Sequence, residues 1–252
     1  MQNKFRTIAL RILIIAAWLV VWQVASMMTG LELLLASPVS VFRALGKLVI
    51  TKTFYITIIN SFLKIMAGFM VALVTSVILG VFSARYRIIE EILRPPVQLM
   101  KTLPMTSFII LLLIWFGSAN VAAYISFIVV FPFGYVAVIT GIRQTEVALL
   151  EMAKVFKVST IRKLRCIYVP KIYPFLESSL KNAMGMCWKA GVSAEVIGLV
   201  RYSIGEQLYY SKLYLMTAEL FAWSIIVVVV SMIFEMLFLR LLNITVALLR
   251  KV

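Results

Sequence analysis

Residues 143–174, RQTEVALLEMAKVFKVSTIRKLRCIYVPKIYP, decide how the rest of the chain is read. This polar, basic stretch carries Arg143, Lys154, Lys157, Arg162, Lys163, Arg165 and Lys171, and it interrupts an otherwise apolar protein. Its pattern predicts two short amphipathic helices ending at Pro170. Joining two membrane spans needs only a short turn. A basic, amphipathic helical loop in this position therefore suggests a surface for a cytoplasmic partner.

The surrounding sequence is membrane sequence. Of 252 residues 63% are hydrophobic, and the mean hydropathy is +1.04; a soluble domain is nearer half apolar. Several windows of roughly 20 residues carry almost no charge, enough to cross a hydrocarbon core of about 30 Å. The alternation of a transmembrane β-barrel is missing. The expected fold is all-α, a polytopic membrane protein with six transmembrane helices, near Ile8–Met28, Ile56–Phe82, Thr102–Phe116, Val121–Ile142, Phe175–Val200 and Thr217–Leu242. Pro95, Pro96 and Pro104 precede the third, short span, and Pro132 marks a kink in the fourth. SPVSVFRALGKLVITK after the first span reads as a surface amphipathic helix, with Ser37 as N-cap and Pro38 as first helical residue. The N-terminal Lys4, Arg6 and Arg11 before an apolar run resemble a signal peptide. Ile12–Met28 is too long for one and lacks a cleavage site, so it reads as an uncleaved first span.

Charge fixes the expected orientation. The net charge is +15, from 25 Lys and Arg against 10 Glu with no Asp. With the N-terminus inside, 18 basic residues fall at cytoplasmic ends and five (Arg43, Lys47, Lys52, Arg201 and Lys212) outside, while Lys64 and Lys189 lie within spans. The positive-inside rule then places both termini and both basic loops, 85–101 and 143–174, in the cytoplasm of a cell (inner or plasma) membrane. The same bias, with contact to anionic lipid, explains the charge without nucleic acid, for which no soluble basic domain exists.

Several chemistries are excluded. The chain has no His, which removes His-based triads, His-ligated metals and imidazole relays. Cys166 and Cys187 give neither a disulfide framework nor a zinc site. There is no G-x-x-x-x-G-K-[ST] loop, so the chain does not itself hydrolyse ATP. No catalytic residues, metal site or cofactor are expected. An intramembrane enzyme would lack a nucleophile–base constellation. A secondary transporter would be expected to show inverted repeats, and none is visible.

Charges inside the fifth span suggest a second site. Trp188, Lys189, Ser193 and Glu195 make it the least lipid-compatible helix, and buried ions in a span usually face a cavity or a partner. Lys189 and Glu195 are six residues apart and point to different faces. Two readings stand: the helix lines a translocation pathway, or its charges pair between helices, Glu195 with Lys64 and Lys189 with Glu219 or Glu235. Gly68, Gly80, Gly185, Gly191 and Gly198 read as close-packing points. Tyr209, Tyr210 and Tyr214 read as an interfacial belt.

The loop carries a family resemblance. Glu151, Met152 and Ala153, then Lys157, then I-Y-V-P at 167–170 resemble the EAA loop of ABC-importer permeases, which runs E-A-A, three residues, Gly, nine residues, I-x-L-P. Glu151, Ala153, Ile167 and Pro170 match in register. RPPVQLMKTLPMTSFIILLLIWFG (94–117), GMCWKAGVSAEVIG (185–198) and SPVSVF (37–42) are similar to segments of the nitrate/sulfonate/taurine group, in the same order along about residues 8–242.

The resemblance implies a type I ABC-importer permease, one transmembrane domain without its own cofactor. It further implies cytoplasmic ABC ATPase subunits, an extracellular or periplasmic substrate-binding protein and a second copy of the permease, a homodimer, as partners. It gives the loop the role of an ATPase-coupling element. Leu149, Met152, Ala153 and Phe156 recur at helical spacing and form an apolar face suited to a groove, with small Ala153 allowing close approach. Without the resemblance, a basic loop lying on the inner leaflet fits as well. Lys157 stands where the family has Gly; a left-handed residue there costs about 1 kcal/mol, or the turn is reshaped. Substrates of this group include nitrate, sulfonates, taurine, bicarbonate-like anions and vitamin precursors, and Lys189 favours an anion.

Overall fold

The computed structural model describes the backbone of residues 2–251, with side chains at 6, 9, 10 and 12–246. Lys4, Arg11, Arg250 and Lys251, used above for orientation, therefore lie outside the described side chains. The described residues form helices only: α1 (Gln2–Thr29), α2 (Pro38–Val49), α3 (Lys52–Arg85), α4 (Arg87–Thr102), α5 (Met105–Phe116), α6 (Val121–Arg143), α7 (Val147–Val155), α8 (Thr160–Lys163), α9 (Val169–Gly198), α10 (Ile204–Leu213) and α11 (Thr217–Lys251). A π-helical turn, Leu164–Tyr168, joins α8 to α9. In hydrocarbon every backbone polar group must be satisfied internally, and helices do this within one segment.

Four helices, α1, α3, α6 and α11, are long and apolar enough to cross a membrane. The third apolar segment is built differently from a plain short span. α5 has 12 residues, about 18 Å, and falls short of a core of about 30 Å. It follows α4, which contains Pro95 and Pro96, across a 110° bend at Leu103–Pro104. The pair together makes a broken span or a re-entrant element. α9, with 30 residues, is long enough but carries Lys181, Lys189 and Glu195. α2 begins as expected: the Ser37 side chain accepts the Ser40 N–H at 3.2 Å and Pro38 opens the helix. α6 runs on through Pro132.

α6 sits between α3 and α9, and these three helices make most of the long-range packing. The reason is written along α3. Its buried stripe is Thr57, Ser61, Ile65, Gly68, Ala72, Ser76, Gly80 and Ser83, spaced three or four apart and mostly small. Lipid tails give no hydrophobic drive for helix association, so small residues that let backbones approach are what hold spans together. A Cβ on Gly68 would lie 2.0 Å from the Ala123 carbonyl oxygen, and one on Gly134 would lie 2.2 Å from Ser76 Oγ. Gly80, Gly191 and Gly198 are also close-packing points, whereas Gly185 faces open space. Around this seam, Phe62, Phe69, Trp188, Phe234 and Phe238 form an aromatic cluster joining α3, α9 and α11. α1 stands outside the bundle, held where Trp22 Nε1 donates to the Ala36 carbonyl and Ser26 Oγ to that of Leu35.

Gly68→Ala should force α3 and α6 apart at a cost of about 1–3 kcal/mol, the usual range for overpacking. The thermal midpoint of the purified protein in detergent is expected to fall by several degrees. Gly46→Ala, in α2 with nothing within 4 Å, should not lower it.

Candidate coupling loop and translocation face

The 143–174 loop is anchored at its first turn. Glu146 occupies the N-cap of α7, and its carboxylate accepts from Lys171 Nζ at 2.6 Å, tying the start of α7 to the base of α9. The Lys171 ammonium, hydrogen-bonded and close by, holds the Glu146 carboxyl below the usual carboxylate range. One turn earlier Arg143, the last residue of α6, pairs with Glu90 of α4. Two ion pairs thus bracket the entry to α7. Neither pair was legible in the sequence. The partners are 53 and 25 residues apart, and no helical spacing relates them. The one local signal was an acidic residue just before the loop helix, where the dipole favours it.

α7 ends on a left-handed residue. Lys157 has φ +49°. The Val158 N–H donates to the Ala153 carbonyl at 2.9 Å and the Lys157 N–H to that of Lys154 at 3.1 Å. This is the paired bonding of a Schellman cap. Of the two alternatives for Lys157, the chain keeps the turn and accepts the strain.

The second loop helix does not end at Pro170. α8 is capped by Ser159, whose side chain accepts the Arg162 N–H, and runs through the π turn into α9 with helical dihedrals at Lys163, Leu164 and Val169. Pro170 falls in the first turn of α9. A proline lacks the N–H for the helical ladder, and a widened π turn is one way a helix absorbs that loss.

The expected contact face of α7 is rearranged. Met152 and Phe156 are 49% and 75% exposed, as are Val147 (68%) and Val155 (77%), while Leu149 is half-buried and Ala153 is 1% exposed within the chain itself. Ala153 therefore packs inward, where it supports the cap, and does not offer itself to a groove. The exposed apolar residues thus cover more of α7 than the 149/152/153/156 spacing implied. Glu151 lies mid-helix and exposed, so the carboxylate at the helix start is that of Glu146.

In α9 the four candidates separate. Trp188 and Glu195 point into the bundle, at 1% and 0% exposure. Lys189 and Ser193 are exposed and continue a stripe with Asn182 and Met186 on the face that α6 leaves uncovered. The proposed ion pairs do not form: among the described residues neither Lys189 nor Glu195 is in a salt bridge. Glu195 Oε2 instead accepts from Ser61 Oγ at 2.8 Å and from the Gly205 N–H at 3.2 Å. Ser61 Oγ in turn accepts the Ile204 N–H at 2.9 Å. The carboxylate caps α10 and fastens it to α3. A Cβ on Gly205 would lie 2.3 Å from Glu195 Cβ, which is why the second residue of α10 must be glycine. The A-E-x-x-G pattern gave no hint of this partner, because Ser61 is 134 residues away.

Residues 76–250 match the family described as "Binding-protein-dependent transport system inner membrane component". The chain belongs to this family. A putative aliphatic sulfonates transport permease of Bacillus subtilis is 24% identical over 226 residues, covering 87% of this chain and 80% of the relative. The nitrate import permease of Synechococcus elongatus is 25% identical, covering 71% and 68%. A glycine betaine/carnitine transport permease of Listeria monocytogenes is 25% identical, covering 68% and 61%. The protein is thus the permease subunit of an ABC importer, a multi-pass inner-membrane protein that works with a separate ATPase and a substrate-binding protein. ATP hydrolysis belongs to the ATPase, not to this chain.

Relief of the strain at Lys157 is measurable. Lys157→Gly should slow exchange of the Val158 amide by roughly fivefold, the equivalent of about 1 kcal/mol, and Lys157→Val should speed it. Hydrogen exchange of the 143–174 loop in the intact membrane protein checks both.

Proposed function

We propose that this permease moves a small anion of the sulfonate or nitrate kind into the cell. It works as a pair of identical copies with both termini cytoplasmic, and α7 seats in the ATPase. The observation that carries the coupling role is the exposure of Met152, Val155 and Phe156 on a short helix held by ion pairs at its start and a Schellman cap at its end. Such a helix presents its apolar side chains as one rigid body, as helix-in-groove docking requires. The π turn and α9 then form one nearly continuous helical run from Thr160 to Gly198, so displacement of the loop is carried into the membrane. The orientation rests on the distribution of Lys and Arg. α9 supplies the fifth of the six spans, its charged face turned to a pathway shared with the second copy. The solute class rests on Lys189, an exposed cation at mid-span without an acidic partner among the described residues, and on sulfonate and nitrate permeases among the relatives.

Met152→Glu and Phe156→Glu should leave folded protein in the membrane near normal, because both side chains are exposed. Co-purification with the ATPase and substrate-stimulated hydrolysis are expected to fall by tenfold or more, since burying such a side chain stabilises by about 1.5–3 kcal/mol. Lys154→Gln should change either by less than about 1 kcal/mol. Retention of ATPase binding by both glutamate variants would show that α7 is not the docking element.

Lys189→Met should lower uptake of the solute by roughly tenfold, the worth of one charge-assisted contact, with folding and ATPase assembly intact. ATP-driven uptake into proteoliposomes bearing the ATPase, with the binding protein supplied, measures it. Uptake at the wild-type level would remove Lys189 from the pathway.

A further inference from the structure

We propose that the cavity between α4 and α6 is a second anion site on the release side of the membrane, with Lys101 as its charge partner. This inference rests on the anion reading of the permease and adds a station to it. The cavity has a volume of about 430 Å³, room for a small organic anion and water, and its walls include Arg94, Gln98, Lys101, Tyr135, Thr140 and Arg143. Glu90 and Glu91 also line it.

The ion pairs decide which cations are free to bind. Arg143 is held by Glu90, and Arg94 lies 3.8 Å from Glu91. Lys101 has no acidic partner among the described residues. The lining carries three cations against two carboxylates, so one positive charge remains uncompensated at Lys101. The cavity floor is fixed, because Tyr135 is buried and its hydroxyl donates to Ser83 Oγ at 2.9 Å. The site therefore has one rigid wall on α6 and a charged wall on α4.

A second, smaller cavity of about 130 Å³ shares Lys101 and Val136 with the first and reaches Ser179 on α9. Ser179 precedes Lys189 by ten residues on the same helix, or about 15 Å at 1.5 Å per residue. Lys189 on α9 and Lys101 at the C-terminal end of α4, beside Ser179, are thus two cationic stations in series. An anion leaving the first meets the second before bulk water. Two moderate sites in sequence allow a solute to enter without being trapped, because binding must be favourable enough to enter and weak enough to leave. The inner site also adjoins Arg143, at the entry to α7. An anion drawn to Arg143 competes with Glu90 and loosens one of the two ion pairs that hold the loop. Occupancy of the release site is in this way connected to the coupling helix.

Thiol protection in the permease–ATPase complex in nanodiscs tests this. Gln98→Cys is introduced with Cys166→Ser and Cys187→Ser, and its labelling by a cationic methanethiosulfonate is timed. Sodium methanesulfonate or nitrate should slow labelling saturably, about threefold at twice the dissociation constant, from the factor 1 + [L]/Kd. Choline chloride at equal ionic strength should not. Adding Lys101→Met should abolish the protection and Lys101→Arg should restore it. Thr140→Cys, on the opposite wall, replaces Gln98→Cys if that variant does not assemble. Labelling indifferent to these anions, equally slowed by choline chloride, or still protected with Lys101→Met would overturn the site. Lys189→Met should keep the protection while losing uptake. Normal uptake with Lys189→Met and intact protection would reject the mid-span station alone.

Discussion

Close approach of α6 to α3 and α9 governs the rest of this structure. In lipid, helices gain little by burying apolar surface, so they associate through van der Waals contact, and that contact is best where side chains are smallest. The stripe of Ser, Gly and Ala on α3 meets the backbone of α6 so closely that Gly68 has no room for a methyl group. Such a seam accepts no long polar side chain. The charges that the fifth span carries are therefore sorted by the packing: Lys189 is turned out onto the uncovered face, and Glu195 is admitted only where Ser61 and the first turn of α10 can hydrogen-bond it. One packing rule thus separates a buried, hydrogen-bonded carboxylate from an exposed cation.

The sequence made some of this legible and hid the rest for definable reasons. Apolar runs and capping residues are local, so the helices, the Ser37 cap and the basic loop could be read directly. The register of Glu151, Ala153, Ile167 and Pro170 pointed to the family, and the match over residues 76–250 agrees. What failed was what depends on distant neighbours. Helical spacing placed Ala153 on an outward face, but the fold buries it within the chain. Charge complementarity suggested Lys64 for Glu195; the partner is a neutral hydroxyl one turn away on the same helix. Pro170 looked like a terminator because a proline breaks the ladder, yet the π turn before it supplies the slack and the helix continues.

That continuity bears on mechanism. If a flexible linker joined the loop to the fifth span, motion of α7 would dissipate in it. Here the connection is helical from Thr160 onward, and the non-helical residues that remain, Phe156 to Ser159, contain the capped turn at Lys157. A lysine in the left-handed region costs energy that glycine would spare, but it leaves the turn fewer alternative conformations. The chain gives up some stability at that residue and gains stiffness at the turn between the two loop helices. At the other end the same helix finishes at Leu199, also left-handed, next to the Glu195 anchor of α10. α9 is therefore held at both ends by specific polar contacts and packed along its length against α6, so it can tilt or slide only as a unit. A polar stripe carried on such a rod would change its exposure together from end to end, as the proposed pathway role of α9 requires.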